Sequence, residues 1–223
     1  MLAIKLNYDF LTLFLNILNI QTLSIYMKTT LIFILVLFVV IFISKGIISK
    51  NTNRTEQHRY TVIKSYSKFE VRRYEKAIFT SVKLKTEGYK ETSSSGFKIL
   101  AGYIFGDNKT NEKIAMTSPV KMEIGSTPKM SFMVPKGYSM NDLPDPNNKN
   151  LVFEMQEEKI IAAIQFDGWA NDEKIEQFLS ILKNELAKEK IVHTNNFFFL
   201  GYNPPFDLID RRNEVAVELL NYE

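Results

Sequence analysis

Between Tyr60 and Leu220 the chain passes twice through one succession: alternating strands, a single amphipathic helix, then alternating strands again. Tyr60, Val62 and Lys64, then Phe69 and Val71, then Ile78, Thr80, Val82 and Leu84 keep the two-residue period of antiparallel strands. Ser93 to Ser95 are placed to cap a helix whose apolar positions Phe97, Leu100, Ala101 and Ile104 follow the helical repeat, stopping at Gly106-Asp107-Asn108. Alternation returns from Ile114 to Ile124 and from Lys129 to Pro135.

Leu143 to Asn150 (LPDPNNKN) is dense in turn residues and divides the domain. Beyond it, Leu151 to Gln156 and Lys159 to Phe166 read as a hairpin. Asn171 caps a helix with Asp172 and Glu173 in its first turn and Ile175, Phe178, Leu179, Leu182 and Leu186 on one face. Asn196 to Tyr202 and Glu214 to Leu220 close the second unit as strands. The expectation is an α+β fold of two similar strand-helix-strand repeats. Two helices are too few to cover both faces of such a sheet, so it should curl into a barrel.

The run GYNPPFDLIDRRNEVAVEL, Gly201 to Leu219, leads into the last strand. Pro204 and Pro205 fix φ and lack amide donors, so the chain bends there outside any central ladder. Val215, Val217 and Leu219 then alternate with Glu214, Ala216 and Glu218, which places the glutamates on the outward face. Arg211 and Arg212 at the entrance either pair with Asp207 and Asp210 or grip a carboxylate or phosphate of a ligand.

At the other end, Leu31 to Ile43 is thirteen unbroken apolar residues, flanked by Met27-Lys28 and SKGIISK. Residues 27–50 therefore read as a signal anchor or transmembrane segment giving a single-pass membrane protein, with export after cleavage as the alternative. Residues 1–26 read as an upstream extension, and 51–57 as a polar tether. Four of the 28 basic and one of the 25 acidic residues lie in the first fifty, leaving 24 against 24 in the remainder. A neutral globular part has no basic footprint for nucleic acid. The absence of cysteine excludes disulfides and thiolate chemistry.

No nucleophile elbow, zinc-protease helix, Walker loop or dinucleotide fingerprint occurs. His58 falls at the tether and His193 between helix and strand, and neither fixes a metal site alone. A hydrolase or dechelatase using Glu154 or Glu214 would need them in a cavity, whereas alternation turns both outward. The reading is a binding protein, not an enzyme. Met116, Met122, Met130, Phe132, Phe153, Met155 and Phe166 would make an adaptable apolar interior, either a plain core or the wall of a pocket.

Five separated signatures occur in order: IAMTSPV (Ile114 to Val120), FMVP (Phe132 to Pro135), Leu143-Pro144, GYNPP (Gly201 to Pro205) and RRNEV (Arg211 to Val215). With Tyr60 to Tyr74 they resemble the SOUL haem-binding protein family, which places a SOUL-like domain at 58–223. The resemblance implies a distorted antiparallel β-barrel flanked by two helices and built from two similar halves. It also implies a haem or related tetrapyrrole beside the first helix, with Phe97, Leu100, Ala101, Tyr103 and Ile104 against its plane. Phe206, Arg211 and Arg212 would come from the proline loop, the arginines toward the propionates, with Tyr103 or Met116 as axial candidates. No histidine falls in the matched motifs, so hydrophobic binding without histidine ligation is the expectation. The function that follows is a membrane-tethered binding protein for buffering, trafficking or sensing. The alternative is a sensor or carrier of another small hydrophobic or cationic ligand.

Overall fold

A computed structural model describes residues 26–37, 55–84, 88–125, 128–204, 207 and 210–222. The chain divides into two compact units, Met1–Asn51 and Thr52–Glu223. In the first, residues 26–37 form helix α1, with exposed apolar side chains from Leu31 to Leu37. Among the described residues no helix is long and apolar enough to cross a membrane. The remainder of the expected anchor, and the extension before it, lie outside the described residues.

The second unit carries β1 (Glu56–Gln57), β2 (Tyr60–Ser65), β3 (Glu70–Tyr74), β4 (Ala77–Lys83) and helix α2 (Tyr89–Ile104). Then follow β5 (Thr117–Ser118), β6 (Val120–Glu123), β7 (Lys129–Met133), β8 (Leu151–Gln156), β9 (Lys159–Asp167), helix α3 (Asp172–Lys188), β10 (His193–Gly201) and β11 (Arg212–Leu219). Nine strands make one curled antiparallel sheet in the order β2-β3-β9-β11-β10-β6-β7-β4-β8, a half-barrel whose edges β2 and β8 are not joined. Within it, β4-β7-β6 and β9-β11-β10 follow the same order of pairing. The expected tether ends in structure: Glu56 and Gln57 pair in parallel with Thr117 and Ser118.

Three local expectations need correction. Strands β8 and β9 do not pair with each other: β8 lies on β4, while β9 lies between β3 and β11. Helix α2 begins at Tyr89, before the serines expected to cap it. Its first amide donates instead to Asp172 Oδ1 at 2.6 Å, and the hydroxyls of Ser93, Ser94 and Ser95 bond back to carbonyls one turn earlier. The strand from Ile114 is broken at Pro119, which has no N–H for a ladder and separates β5 from β6. The Asn171 cap on α3 holds, its Oδ1 accepting from Lys174 N at 2.8 Å.

Helix α2 packs on β4 and β7, and α3 on β9 and β11. Leu100 and Leu182 with Leu186 are fully buried on the two helices, in one core with Val71, Val82, Phe132, Val215 and Val217 from the sheet. The other face of the sheet carries a second, smaller core of Tyr74, Ile161, Ala163, Phe198, Leu200, Tyr202 and Ala216. Part of each face is therefore buried. This matters for every strand residue that alternation assigns to solvent.

Candidate functional site

Arg211, the last loop residue, and Arg212, the first residue of β11, point in opposite directions. Arg211 folds over its own loop. Its Nη1 donates to the carbonyls of Pro204 at 2.9 Å and Asp207 at 2.6 Å, and its guanidinium lies over the Trp169 ring at 4.1 Å. The loop is further tied by Asn203, whose Oδ1 accepts from Arg212 N at 2.7 Å and whose Nδ2 donates to Asp207. Arg211 thus bonds backbone carbonyls, not the carboxylates expected to pair with it.

Trp169 is 53% exposed and precedes the cap of α3. Since Asp172 of α3 accepts the Tyr89 amide, the N-terminal ends of the two helices meet there. Burial raises the Tyr89 hydroxyl pKa, with Arg211 opposing the rise and Asp172 adding to it. From Tyr89 an aromatic row runs inward: Phe199 edge-on at 5.2 Å, Phe166 at 6.3 Å, then Phe178 of α3 stacked on Phe166 at 4.6 Å.

Of the α2 residues expected at a ligand, Leu100, Ala101, Tyr103 and Ile104 are buried in the main core. The Tyr103 hydroxyl donates to Pro144 O at 2.9 Å, and burial pushes its pKa up to about 12. Phe97 is half-buried, edge-on to Phe132 at 5.4 Å, and Met116 is half-buried against the same core. Phe206 lies outside the described residues. Phe97 is therefore the residue of this α2 set that keeps most access to solvent, and it lies two turns from the Tyr89 rim.

Arg212 turns to the opposite face of the sheet. Its Nε and Nη2 donate to Glu214 Oε1 at 2.9 and 2.6 Å, Nη2 also reaches the Tyr60 hydroxyl at 2.9 Å, and the guanidinium covers the Tyr202 ring at 4.0 Å. Glu214, expected to point outward, is fully buried. Its other oxygen accepts from Arg72 Nη1 at 2.8 Å and from the Tyr202 hydroxyl at 3.0 Å. Burial opposes the Arg72 charge, but Glu214 and Tyr74 outweigh it and hold the guanidinium pKa above its ordinary value. Burial and the Glu214 charge raise the Tyr202 hydroxyl. Glu154 is half-buried and bonded by Ser81 and Lys129. Arg72, Tyr202 and Tyr60 escaped sequence reasoning; the signal available was Arg212, Glu214 and Ala216 sharing one face.

Three openings are distinct from the α2 face. A 550 Å³ groove beside α3 is lined by Lys68, Ile181 and Glu185, with a Lys68–Glu185 ion pair on its wall. A 230 Å³ cavity borders His58, Met133, Tyr138 and Met155. A 370 Å³ cavity opens on the sheet face bearing Arg72 and Arg212. His58 Nε2 meets Glu75 O at 2.7 Å, and burial lowers the ring's pKa although that bond opposes the shift. His193 Nδ1 bonds the Thr194 carbonyl. Among the described residues no cluster of three His, Cys, Asp or Glu could hold a metal ion.

The family model for SOUL heme-binding protein matches residues 55–218. Heme-binding protein 2 of Mus musculus is 32% identical over 156 residues, covering 66% of this chain and 76% of its own. Heme-binding protein 1 of Xenopus laevis is 29% identical over 157 residues, covering 66% and 81%. Among solved structures the EcmrR C-terminal domain matches with TM-score 0.55 at 9% identity, over 73% of this chain and 99% of that one. A hydrolase from Listeria innocua matches with TM-score 0.51 at 8% identity, over 77% and 97%. At such identities the likeness shows the fold alone. The family match spans both the α2 segment and the proline loop, and the chain belongs to the SOUL haem-binding protein family.

Proposed function

We propose that this protein binds haem or a related tetrapyrrole, without histidine ligation and without catalysis, at the α2 face rimmed by the loop from Asn203 to Arg211. The family membership supports the ligand class. The observation that carries the site is the Arg211 guanidinium over the half-exposed Trp169, at the junction of both helix N-termini and above the row Tyr89, Phe199, Phe166, Phe178. A flat apolar ring system suits aromatic side chains, and a guanidinium beside it suits a propionate. Phe97 extends the apolar contact, and Met116 or Tyr103 reaches iron only if its core packing opens. The apolar run Leu31 to Ile43 supports membrane tethering, which fits a role in buffering, trafficking or sensing.

Haemin titration of the full chain in mild detergent, against detergent blanks, tests this. Saturable quenching of Trp169, the one tryptophan in the chain, with a Soret shift is expected at micromolar haemin. Arg211→Ala should weaken it, while His58→Ala and His193→Ala leave the spectrum unchanged. Absence of both the quenching and the Soret shift rejects the proposal. Membrane fractionation of the full chain beside a chain lacking residues 1–51 tests the tether.

A further inference from the structure

The sheet face away from α2 and α3 holds an arrangement that tetrapyrrole binding beside α2 does not use. Strands β3, β9 and β11 run side by side there, with Arg72 and Glu70 on β3, Ala163 and Gln165 on β9, and Arg212 and Glu214 on β11. Over them opens the 370 Å³ cavity, whose wall includes Tyr60, Arg72, Ala163, Gln165 and Arg212. Ala163 leaves the floor low, with Ala216 opposite it on β11.

The charges are distributed unevenly. Glu214 lies behind the cavity wall and takes one donor edge from each arginine. Glu70, at the lip, accepts from Arg72 Nε at 2.8 Å. That leaves Arg72 Nη2 and Arg212 Nη1 with no hydrogen-bond partner among the described residues, although a guanidinium carries five donors. Neither nitrogen is sealed away from solvent as an orphan. Glu70 and Glu214 balance Arg72 and Arg212, and Lys68 at the rim is paired with Glu185, so the cavity carries free guanidinium donors without an excess of charge.

The geometry points to a second ligand site, for a small organic monocarboxylate whose anionic end meets Arg72 Nη2 and Arg212 Nη1 and whose body lies over Ala163 toward the Tyr66 ring. A carboxylate matches guanidinium edges in plane, and its single charge sits beside Glu70 and Glu214 at less repulsion than a phosphate dianion would meet. The volume is at the small end of ligand pockets and suits an aryl or short-chain acid, not a tetrapyrrole. The two arginines need no ordering on binding, since Glu214, Tyr60 and Tyr202 already hold them.

The test is calorimetry and thermal unfolding of the full chain in mild detergent with benzoate, phenyl phosphate and benzamidine as probes. Benzoate should bind saturably and raise Tm, phenyl phosphate should bind more weakly, and benzamidine should do neither. Arg212→Gln should weaken benzoate by about tenfold or more. Gln165→Trp, a change at an exposed position on the cavity wall, should block benzoate while leaving Tm without ligand unchanged. Gln165→Trp keeps the test decisive if Arg212→Gln does not fold. Equal binding of benzoate and benzamidine, no benzoate binding, or benzoate affinity unaltered in Gln165→Trp overturns the proposal. The haemin affinity of Gln165→Trp read from the Soret shift, which its second tryptophan does not disturb, should match wild type, which separates this site from the α2 face.

Discussion

Arg72 Nη1 lies 2.8 Å from Glu214 Oε2, with the two side chains 4% and 0% exposed, so a strand from each half of the chain is joined by a charge pair inside the domain. Arg212 holds the other carboxylate oxygen. Removing the shared anion leaves buried Arg72 with only the part-exposed Glu70 as counter-charge, at a cost toward the lower end of the about 3–5 kcal/mol for breaking a buried pair. Glu214→Ala should therefore unfold at markedly lower urea than wild type, and Glu214→Gln should fall between. Arg72→Met should cost less, since Arg212 and Tyr202 still satisfy Glu214. Urea unfolding of the four proteins checks the order; a Glu214→Ala loss below about 1 kcal/mol contradicts it.

Two glycines in α2 should respond with opposite signs to alanine. A Cβ at Gly96 would meet Leu84 Cδ1 at 2.8 Å and Met130 Cβ at 3.1 Å, and the second atom cannot swing aside as a side-chain tip does. Overpacking of about 1–3 kcal/mol exceeds the helix-propensity gain of about 1 kcal/mol, so Gly96→Ala destabilises. At Gly102 the nearest atom is Asp107 Oδ2 at 3.8 Å, and Gly102→Ala should stabilise by about 0.5–1 kcal/mol. Thermal unfolding decides it: two shifts of the same sign would show that the Met130 contact does not govern α2.

Asp172 links the helices, accepting the Tyr89 amide while sitting in the first turn of α3. Asp172→Ala removes a cap-like acceptor from α2 and an anion from the N-terminus of α3, a loss of about 1–2 kcal/mol. Asp172→Asn keeps the acceptor and should lose less. Glu173→Ala, which removes only the dipole contribution, is the control. Equal urea midpoints for Asp172→Ala and Glu173→Ala would remove any special role for the contact with Tyr89.

The sequence made the elements legible and left their partners obscure. Helical spacing around Leu179, Leu182 and Leu186 located α3, and Asn171 its start, because a cap and an apolar stripe are local. Alternation found β8 and β9 yet paired them wrongly, since a two-residue period fixes faces and not neighbours. The same limit hid Glu214. Alternation set it opposite Val215, but Arg72, Tyr202 and Arg212 cover it on that face, and Arg72 lies 142 residues away. The start of α2 was missed for a similar reason: its acceptor, Asp172, is 83 residues distant. The motifs located Arg211 and Arg212 but not their divergence, which follows only once β11 is known to begin at Arg212.

Among the described residues, Lys121 of β6 is a cation whose charge burial disfavours. Its Nζ lies over the Phe198 ring at 4.5 Å, while neighbouring Lys129 takes both carboxylates, Glu123 at 3.1 Å and Glu154 at 2.9 Å. Burial lowers its pKa from 10.5 to about 8; Glu123 and Glu154 oppose the shift, and Lys159 and Lys129 add to it. His58 also faces it, itself shifted down. A lysine depressed in the folded state binds fewer protons than in the unfolded chain between about pH 8 and 10.5. The cost of its charge is thus full below pH 8 and relieved as pH rises through that window. After allowance for its partial exposure the relief is about 1–3 kcal/mol. Lys121→Met removes the titration, so wild type should gain stability relative to the variant from pH 8 to 10.5, while other groups cancel in the difference. Urea unfolding of both proteins at intervals across pH 7 to 10.5 measures that difference; parallel profiles would mean that Lys121 keeps its charge at no cost, with Phe198 or bound water supplying what Glu123 does not.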